Sequence, residues 1–393
     1  MLYVLLLIII IFWGHFIFFD ILLVISFVIC FYTFIVSISN CFYLRQIKTN
    51  SFKFEEPKVS ILIPCRNEED NVENVINSMV NQTYENLEVI LLDDSSTDKT
   101  AEIIYKLSKK FSKIRGVNGL QLEKGWIGKN WACHQLTKIA KGDYFLFCDA
   151  DVIYDKDLIR DSIANLKKND YKFLTLFPGR KSNSLTDKFI WSFAGWAINA
   201  WLPFTITFKT NISLLAAGFG QFLLIDKQTY LKIGGHKSFK NTQLDDFELS
   251  RLVQKSGDKW SVAIASNRVI TKGYDSFTES INGHGRSIMP VFHNNGIIMF
   301  LFWCIISNTI FFPIILSINS IANSDYSNLN TYLSFCNLFF IIISWLLTSF
   351  KTKVNIIPCL IYPFTTFLIL FVAIHSLYKT KRRIIFWKDR LIS

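Results

Sequence analysis

Long apolar stretches at both ends of this 393-residue chain constrain its fold more than any other feature. From Met1 to Ser39 there is no Lys or Arg, and the only acidic or histidine side chains are His15 and Asp20. Because a helix needs about 20 apolar residues to cross a bilayer, this stretch predicts one membrane span or a tight hairpin turning near Asp20. It lacks the basic start and small-residue cleavage site of a signal peptide, so we expect residues 1–42 to stay as an N-terminal membrane segment.

The C-terminal region, residues 296–378, contains three further apolar stretches. Gly296 to Ser317 and Thr331 to Phe350 are each long enough to cross, and the loop between them lacks lysine. The two stretches therefore predict a helical hairpin that leaves the core side of the membrane and returns to it.

The third stretch, Val354 to Tyr378, has basic residues on both flanks and contains Pro358 and Pro363, which would interrupt a helix. A simple crossing would place one basic cluster outside. We predict a re-entrant or interfacial segment that keeps the basic tail, residues 379–393, on the cytoplasmic side.

Charge and cysteine usage place the middle of the chain in the cytoplasm. Arg45, Lys48 and Lys53 directly follow the first apolar stretch, as the positive-inside rule requires of a cytoplasmic flank. The eight cysteines form no CxxC pair, which disfavours structural zinc and a disulfide scaffold. The net charge of +11 occurs in a chain with long apolar ends, which weakens an interpretation of that charge as nucleic-acid binding. We therefore expect no nucleic-acid partner. The chain reads as a multi-pass protein of the cell (inner) membrane.

Residues 53–290 have globular composition and alternate strand and helix patterns. Short apolar runs such as Val59 to Ile63, Leu87 to Leu92 and Tyr144 to Cys148 are separated by stretches with helical spacing. This order predicts an α/β fold with a mostly parallel sheet and helices on both faces. One apolar stretch inside the core, Phe189 to Phe208, carries three tryptophans and no charge, and we expect an interfacial segment or a buried core helix there.

Acidic residues follow the predicted strands at the edge of the sheet where ligands bind in such folds. Asp149 and Asp151 come directly after a buried strand, and residues two apart in an extended chain point to the same side. A divalent cation such as Mg²⁺ would relieve the repulsion between two such carboxylates. A solvated turn is the better explanation of an Asp-x-Asp taken alone, and the position after a buried strand favours the cation. Asp93 and Asp94 occupy the equivalent position after an earlier strand, followed by Thr97 and Asp98, which suit a helix cap.

The ordered set of motifs resembles the family 2 glycosyltransferases, whose fold is a single α/β domain of the GT-A (Rossmann-like) type. The resemblance covers about Val59 to Met289 plus the tail. It is strongest for the membrane-bound subgroup that includes carotenoid (diaponeurosporenoate type) and hopanoid-associated glycosyltransferases. The motifs are Pro64-x-Arg-Asn-Glu68, Asp93-Asp94-x-Ser-x-Asp98, Gly125 to Cys133, Asp149-Ala-Asp151, Gly234-Gly-His236, Leu244-Asp-Asp246, Gly257 and Trp387-Lys-Asp-Arg390.

The resemblance implies a role for each matching residue on the donor side. Asp93 or Asp94 would hold the uracil of a UDP-sugar, and Asp149 and Asp151 would bind the ribose and a Mg²⁺ or Mn²⁺ ion that bridges the diphosphate. Lys129 would neutralise phosphate charge, and Glu68 matches a weaker nucleotide-side position.

On the acceptor side, Asp246 matches the general base of the family, which takes the acceptor proton during a single inverting displacement. A helix cap or a dipole contact is the structural alternative for Asp246. The family often carries Gln or Arg followed three residues later by Arg-Trp. This chain keeps only Arg286, for which the resemblance implies contact with the diphosphate, and it has His284 nearby.

From these implied roles we predict an inverting transferase that moves a sugar from a UDP-sugar to a membrane lipid. The preferred acceptor is an isoprenoid or other lipid hydroxyl. A carboxylic acid is already ionised near neutral pH and gains little from a base, whereas a hydroxyl needs one. Polyprenyl phosphate and a carotenoid carboxylate remain alternative acceptors. A non-catalytic membrane scaffold with degenerate acidic motifs is the alternative of another class.

Overall fold

The computed structural model describes residues 2–48, 52–388 and 390–391. Asp389, part of the tail motif, lies outside the described residues. The helices are α1 (Leu2–Tyr43), α2 (Val72–Val80), α3 (Thr100–Lys110), α4 (Gly128–Ile139), α5 (Leu158–Asn169), α6 (Leu185–Trp201), α7 (Phe204–Thr207), α8 (Lys227–Lys232), α9 (Asp245–Ser256), α10 (Phe277–Val291), α11 (Gly296–Ala322), α12 (Leu329–Thr352), α13 (Ile356–Leu360) and α14 (Tyr362–Arg382).

The strands form one large sheet and a small C-terminal hairpin. They are β1 (Val59–Cys65), β2 (Leu87–Asp93), β3 (Ile114–Asn118), β4 (Tyr144–Phe147), β5 (Val152–Tyr154), β6 (Phe173–Lys181), β7 (Leu223–Asp226), β8 (Trp260–Lys272), β9 (Phe386–Trp387) and β10 (Arg390–Leu391).

The large sheet has the strand order β3-β2-β1-β4-β7-β6-β8-β5. Its first four strands are all parallel, with Val59 of β1 opposite Leu87 on one side and Tyr144 on the other. The short strand β7 runs antiparallel to both of its neighbours, and β5 runs antiparallel to β8. The α/β fold of the prediction is confirmed, with the parallel character concentrated in the first half of the sheet.

Alternation along β1 explains how one sheet supports two apolar layers. Ile61 and Ile63 face a core built with α2 and α5, whereas Leu62 between them faces a second core. That second core continues from the sheet into the membrane helices, where it includes Trp303 and Trp345. The globular core and the membrane helices are therefore joined by a shared apolar layer.

Within the part of the chain that the structure describes, four helices are long and apolar enough to cross a membrane by length and composition: Phe19–Tyr43 within α1, and α11, α12 and α14. The N-terminal stretch forms the continuous helix α1, without the hairpin at Asp20 that the sequence left open. The predicted hairpin of two spans corresponds to α11 and α12.

The apolar stretch from Phe189 to Phe208 forms most of α6 and the short helix α7, and α6 packs among α1, α10, α12 and α14. Trp196 is 1% exposed and stacks on Trp345 at 4.9 Å, with its indole N–H donating to Ser344 at 3.0 Å. A tryptophan so placed is part of a packed interior, which matches the buried alternative for this helix.

Candidate functional site

Three parallel neighbouring strands, β2, β1 and β4, end at the same edge of the sheet. Glu68 follows the end of β1, Asp93 is the last residue of β2, and Asp149 follows β4. Because parallel strands share a direction, side chains carried just beyond their carboxyl ends lie on one side of the sheet. Topology thus brings together acidic blocks that are far apart in sequence.

The loops after β1 and β2 are bonded to each other. The Asn67 amide donates to Ser96 Oγ at 3.0 Å, the Glu68 amide to Thr100 Oγ1 at 2.7 Å, and the Glu69 amide to Asp98 at 3.1 Å. Asp98 also accepts from the Thr100 amide at 3.0 Å, so Asp98 satisfies a donor at the start of α3. These bonds fix both loops before any ligand binds.

Asp93 and Asp94, equivalent in the sequence analysis, have different environments. Asp94 is 2% exposed and pairs with Arg390 at 2.7 Å. Burial raises the pKa of the Asp94 carboxyl, and Arg390 opposes that rise. Asp93 Oδ2 accepts from the Ser96 amide at 3.2 Å, whereas the buried Oδ1 has no hydrogen-bond partner among the described residues. An unpartnered buried acceptor is costly without a donor, so Asp93 has an acceptor available for a ligand.

Lys129 links two of the acidic blocks. It lies in the first turn of α4, and its ammonium group pairs with Asp149 at 2.9 Å and with Asp245 at 3.1 Å. Burial alone would lower the pKa of Lys129, but the two carboxylates raise it well above its usual range. The side-chain amide of Asn130 donates to the Thr242 carbonyl at 2.9 Å, which ties the start of α4 to the loop before α9.

Asp246 lies in the first turn of α9, where two backbone amides hold its carboxylate. Oδ2 accepts from the Gly220 amide at 3.1 Å, and Oδ1 accepts from the Phe247 amide at 2.9 Å. Burial and the neighbouring Asp245 raise the pKa of Asp246 to about 7, and Lys129 opposes the rise. A buried carboxylate in fixed orientation with a pKa near neutrality has the properties required of a general base.

Gly220, which was not among the residues singled out from the sequence, lies beside side chains of three of these blocks. A Cβ at this position would lie 3.3 Å from Lys129 Nζ, 3.5 Å from Asp149 Oδ2 and 3.7 Å from Asp246 Oδ2. The next residue, Gln221, donates to Asp149 at 3.4 Å. A glycine and an amide immediately before strand β7 would have signalled a backbone that approaches a ligand.

Asp151 lies beside a cavity of about 260 Å³ that also contains Asn71, Asn183 and Lys272 on its wall. Burial and the negative charges of Asp149 and Glu68 raise the pKa of Asp151 to about 7, and Arg180 opposes the rise. The negative charges of Asp149 and Glu68 therefore oppose ionisation of Asp151, while Lys272 lies on the wall of the same cavity.

Asp149 and Asp151 are the carboxylates that could hold a divalent cation. The described residues contain no group of three His, Cys, Asp and Glu side chains arranged to hold a metal ion. Mg²⁺ and related ions, however, commonly use one or two carboxylates and complete their shells with water and substrate phosphate. Asp151, whose charge is opposed by its carboxylate neighbours, together with Asp149, fits that mode of binding.

Arg286, the remaining candidate, contacts a different group of side chains. Its guanidinium donates to the Tyr274 hydroxyl at 3.1 Å and to the Gly283 carbonyl at 3.2 Å. Tyr274 in turn lies under Arg180, 5.0 Å from the ring centre. The described contacts therefore connect Arg286 to Arg180 through Tyr274, and they do not bring it to Lys129 or Asp246.

The chain is similar to known proteins over part of its length. Residues 60–220 match the model of the glycosyl transferase family 2. The chain is 26% identical over 199 residues to a 4,4'-diaponeurosporenoate glycosyltransferase of Staphylococcus haemolyticus, covering 50% of this chain and 52% of the relative. The Staphylococcus aureus protein of that name is 27% identical over 213 residues, covering 52% and 53%. The chain thus spans about half the length of the curated relatives it matches.

Among solved structures, the chain is similar to the mannosyltransferase PcManGT from Pyrobaculum calidifontis, solved in complex with GDP-Man and Mn²⁺. The TM-score is 0.54 and the sequence identity is 13%, and the match covers 91% of this chain and 99% of that one. At this identity the likeness establishes the fold, which is of the GT-A type together with membrane helices.

Proposed function

We propose that the chain, whose residues 60–220 match the glycosyl transferase family 2 model, transfers a sugar from a nucleotide-sugar to a hydroxyl group of a membrane lipid. The observation that carries the proposal is the convergence of Lys129, Asp149, Asp245 and Asp246 around Gly220. This cluster provides a cation for a diphosphate and a carboxylate for a proton within one small volume.

The donor is a nucleoside diphosphate sugar, with UDP as the proposed nucleotide. The unpartnered Asp93 Oδ1 supports hydrogen bonding to N–H groups of the base. Lys129 supports binding of the diphosphate. Its ammonium group pairs with both Asp149 and Asp245, and it can donate to phosphate oxygens when the donor binds. PcManGT, a protein of similar fold, was solved in complex with GDP-Man.

The proposed reaction is one displacement. The acceptor oxygen attacks the anomeric carbon in line, the bond from that carbon to the diphosphate oxygen breaks, and the nucleoside diphosphate leaves with the electron pair. Asp246 takes the proton of the acceptor hydroxyl, which is typically worth a factor of about 10² to 10⁴ in rate. Single displacement inverts the anomeric configuration.

A divalent cation, Mg²⁺ or Mn²⁺, would be held by Asp149 and Asp151. When bound, it supplies positive charge that stabilises the departing diphosphate. Support comes from the raised pKa of Asp151, because a carboxylate crowded by like charges binds a cation favourably.

A second cavity supports an acceptor that arrives from the membrane. Its volume is about 350 Å³, and it lies between the core and the ends of the membrane-associated helices, with walls that include Trp126, Gln243, Asn294 and Thr380. Gln243 is three residues before Asp246, so the cavity adjoins the loop that leads into the helix of the proposed base. The proposed orientation, with the core in the cytoplasm, gives it access to cytoplasmic nucleotide-sugars.

The experiment that tests the function is transfer of radiolabelled sugar from UDP-sugars to lipid extracts by the full chain in nanodiscs with Mn²⁺. We expect a labelled lipid with wild type and none with Lys129→Ala, and Lys106→Ala, on the exposed face of α3, serves as a matched lysine control. Failure of the wild type to release UDP or GDP from any nucleotide-sugar would contradict the proposal and favour a non-catalytic scaffold.

A carotenoid carboxylate is a second candidate acceptor, because the curated relatives are named for 4,4'-diaponeurosporenoate. An acceptor panel of isoprenoid alcohols, polyprenyl phosphate and carboxylated carotenoids separates the cases. Transfer to a hydroxyl needs Asp246, whereas transfer to an ionised carboxylate does not need a base. A preference for the carboxylate that survives Asp246→Asn would replace the hydroxyl in the proposal.

A further inference from the structure

The C-terminal segment returns from the membrane helices to the carboxyl edge of the sheet. Strands β9 and β10 form an antiparallel hairpin in which Arg390 is paired with Trp387. The Arg66 side chain donates to the Lys388 carbonyl at 3.0 Å, and the Lys388 ammonium group donates to the Asn67 carbonyl at 2.7 Å. The hairpin therefore lies against the loop that follows β1.

Two ion pairs attach the hairpin to carboxylates that the sequence assigned to nucleotide binding. Lys388 pairs with Glu68 at 3.0 Å, and Arg390 pairs with Asp94 at 2.7 Å, with a second contact at 3.3 Å. The Glu68 and Asp94 side chains are only 11% and 3% exposed. These are not solvated surface pairs, because removing one partner would leave a buried carboxylate uncompensated.

Gly128 provides independent evidence that the chain makes room for Arg390. A Cβ at position 128 would lie 2.2 Å from an Arg390 guanidinium nitrogen and 2.9 Å from Asp94 Oδ2. Gly128 precedes Lys129, so the arginine of the tail reaches the start of α4, beside the proposed diphosphate lysine. A larger residue would push the guanidinium away.

We propose that the C-terminal hairpin forms one wall of the donor-nucleotide site, with Arg390 as a positioning residue that engages Asp94 and leaves Asp93 for the nucleoside. This inference rests on the proposed function and concerns the same site. The hairpin covers the loops after β1 and β2, whereas the groups proposed for sugar transfer lie after β4 and at the start of α9. The hairpin is thus a wall at the nucleoside end rather than a plug over the reacting atoms.

Titration of the full chain in nanodiscs with UDP or GDP plus Mn²⁺ tests the proposal by calorimetry. We expect Arg390→Ala to weaken nucleotide binding roughly tenfold, which corresponds to about 1.4 kcal/mol, and to raise the KM for the donor with little change in kcat. Arg390→Lys keeps the charge and should recover part of the affinity. Lys381→Ala, at an exposed position in the last turn of α14, is the control and should bind like wild type.

Gly128→Ala tests the same contact without removing any charge, and it should weaken binding in the same direction. Hydrogen exchange of the segment 93–100 without nucleotide should rise in Arg390→Ala, which reports loop positioning in a folded protein. If Arg390→Ala bound nucleotide as tightly as wild type, the proposal that the hairpin forms a wall of the site would be refuted. Tighter binding by Arg390→Ala would also refute it and would indicate that the hairpin competes with the nucleotide. Absence of nucleotide binding by the wild type would instead refute the proposed function itself.

Discussion

At the scale of single residues, the site is a set of charges whose partners come from distant parts of the chain. Lys129 has two carboxylate partners, Asp149 and Asp245, while Asp246 next to them is held only by backbone amides. A carboxylate without an ion pair keeps a raised pKa and remains able to accept a proton. The two neighbouring carboxylates therefore have different roles. Asp245 neutralises the charge of Lys129, and Asp246 is proposed to take the proton of the acceptor.

Replacing Asp246 with Asn should lower kcat by a factor of about 10² to 10⁴ for a hydroxyl acceptor. The amide keeps the size of the side chain and one acceptor oxygen, so donor affinity should change little. Initial rates and UDP titrations on the same preparation measure both quantities. Glu248→Gln, which alters a carboxylate two residues further along α9, is the control. Equal losses of kcat in the two variants would refute the assignment of Asp246.

His236 should make the folded core sensitive to acid. Burial, Lys129 and His134 lower its pKa to about 3, against about 6.5 in an unfolded chain. Between these values the unfolded state binds a proton that the folded state does not, so stability falls as the pH drops below 6.5. At pH 5 this amounts to roughly 2 kcal/mol, from 1.36 kcal/mol per pH unit.

Thermal unfolding at pH 7 and pH 5 measures this effect. His236→Gln should reduce the difference in Tm between the two pH values. Tyr230→Phe removes the hydroxyl 2.8 Å from His236 Nδ1 but keeps the imidazole, so it should lower Tm about equally at both. An undiminished pH difference in His236→Gln would show that other groups control acid stability.

At the scale of elements, a buried charge network joins β6, α6 and α10. Asp187, fully buried in α6, accepts two hydrogen bonds from Arg180 of β6 at 2.7 and 2.9 Å and one from His284 of α10 at 2.7 Å. Burial alone would raise the pKa of Asp187, but His284 and Arg180 hold it well below its usual range. Burial lowers the pKa of His284, whereas its hydrogen bond to Asp187 opposes that fall.

Asp187→Asn should destabilise the protein by about 3 to 5 kcal/mol, because it leaves the Arg180 guanidinium buried without its counter-charge. Chemical unfolding in detergent measures the change. The double variant Arg180→Met/Asp187→Leu removes both charges and should be markedly more stable than the single variant. A double variant no more stable than Asp187→Asn would show that the network does not act through its charge.

The elements that were predictable from sequence are those whose signal is local. Apolar runs such as Val59 to Ile63 specify buried strands, and the helical spacing of Val72, Val75, Ile76 and Met79 specifies α2, whose buried face consists of those residues. The strands β5 and β7 have three and four residues and owe their place to antiparallel pairing with strands far along the chain. No local pattern encodes such pairing.

The site shows the same division. The acidic blocks were identifiable because each follows a strand, but their partners were not. The Asp94–Arg390 pair joins positions 296 residues apart, and the contact of Gly220 with Asp246 depends on a backbone amide. The tail motif and the glycine before β7 are visible in the sequence, but no local pattern indicates that Arg390 folds back onto Asp94 or that the Gly220 amide bonds to Asp246.

At the scale of the whole molecule, the contacts between helices indicate how the chain sits in a bilayer. Asp20 of α1 accepts from Asn330 of α12 at 2.7 Å, and Cys41 of α1 accepts from Lys351 of α12 at 2.6 Å. About 21 residues separate these contacts on each helix, or roughly 32 Å at 1.5 Å per residue, which matches the hydrocarbon thickness. The Cys41 end is the core side, because Gln46 pairs with Ile264 of β8.

The helix α14 has its distal end on that same core side. Lys379 donates to Asn282 of α10 at 2.6 Å, and Arg390 beyond it reaches Asp94. The chain also leaves α12 on the core side at Lys351, and only the residues from 353 to 361 separate α12 from α14. Along its length α14 contacts α10 and α6 and, to a smaller extent, α11. We therefore predict that α14 lies at the interface, with α1, α11 and α12 as the crossing helices.

Cysteine labelling in intact cells distinguishes this arrangement from a fourth crossing, on a background with the exposed Cys304 and Cys336 replaced by serine. A membrane-impermeant maleimide should label Tyr326→Cys, in the loop between α11 and α12, from outside. Asn355→Cys and Arg383→Cys, at the two ends of the α13–α14 segment, should react only after permeabilisation. If α14 crossed the membrane with its C-terminal end on the core side, its N-terminal end would lie outside. External labelling of Asn355→Cys would therefore establish the fourth span and refute the interfacial position.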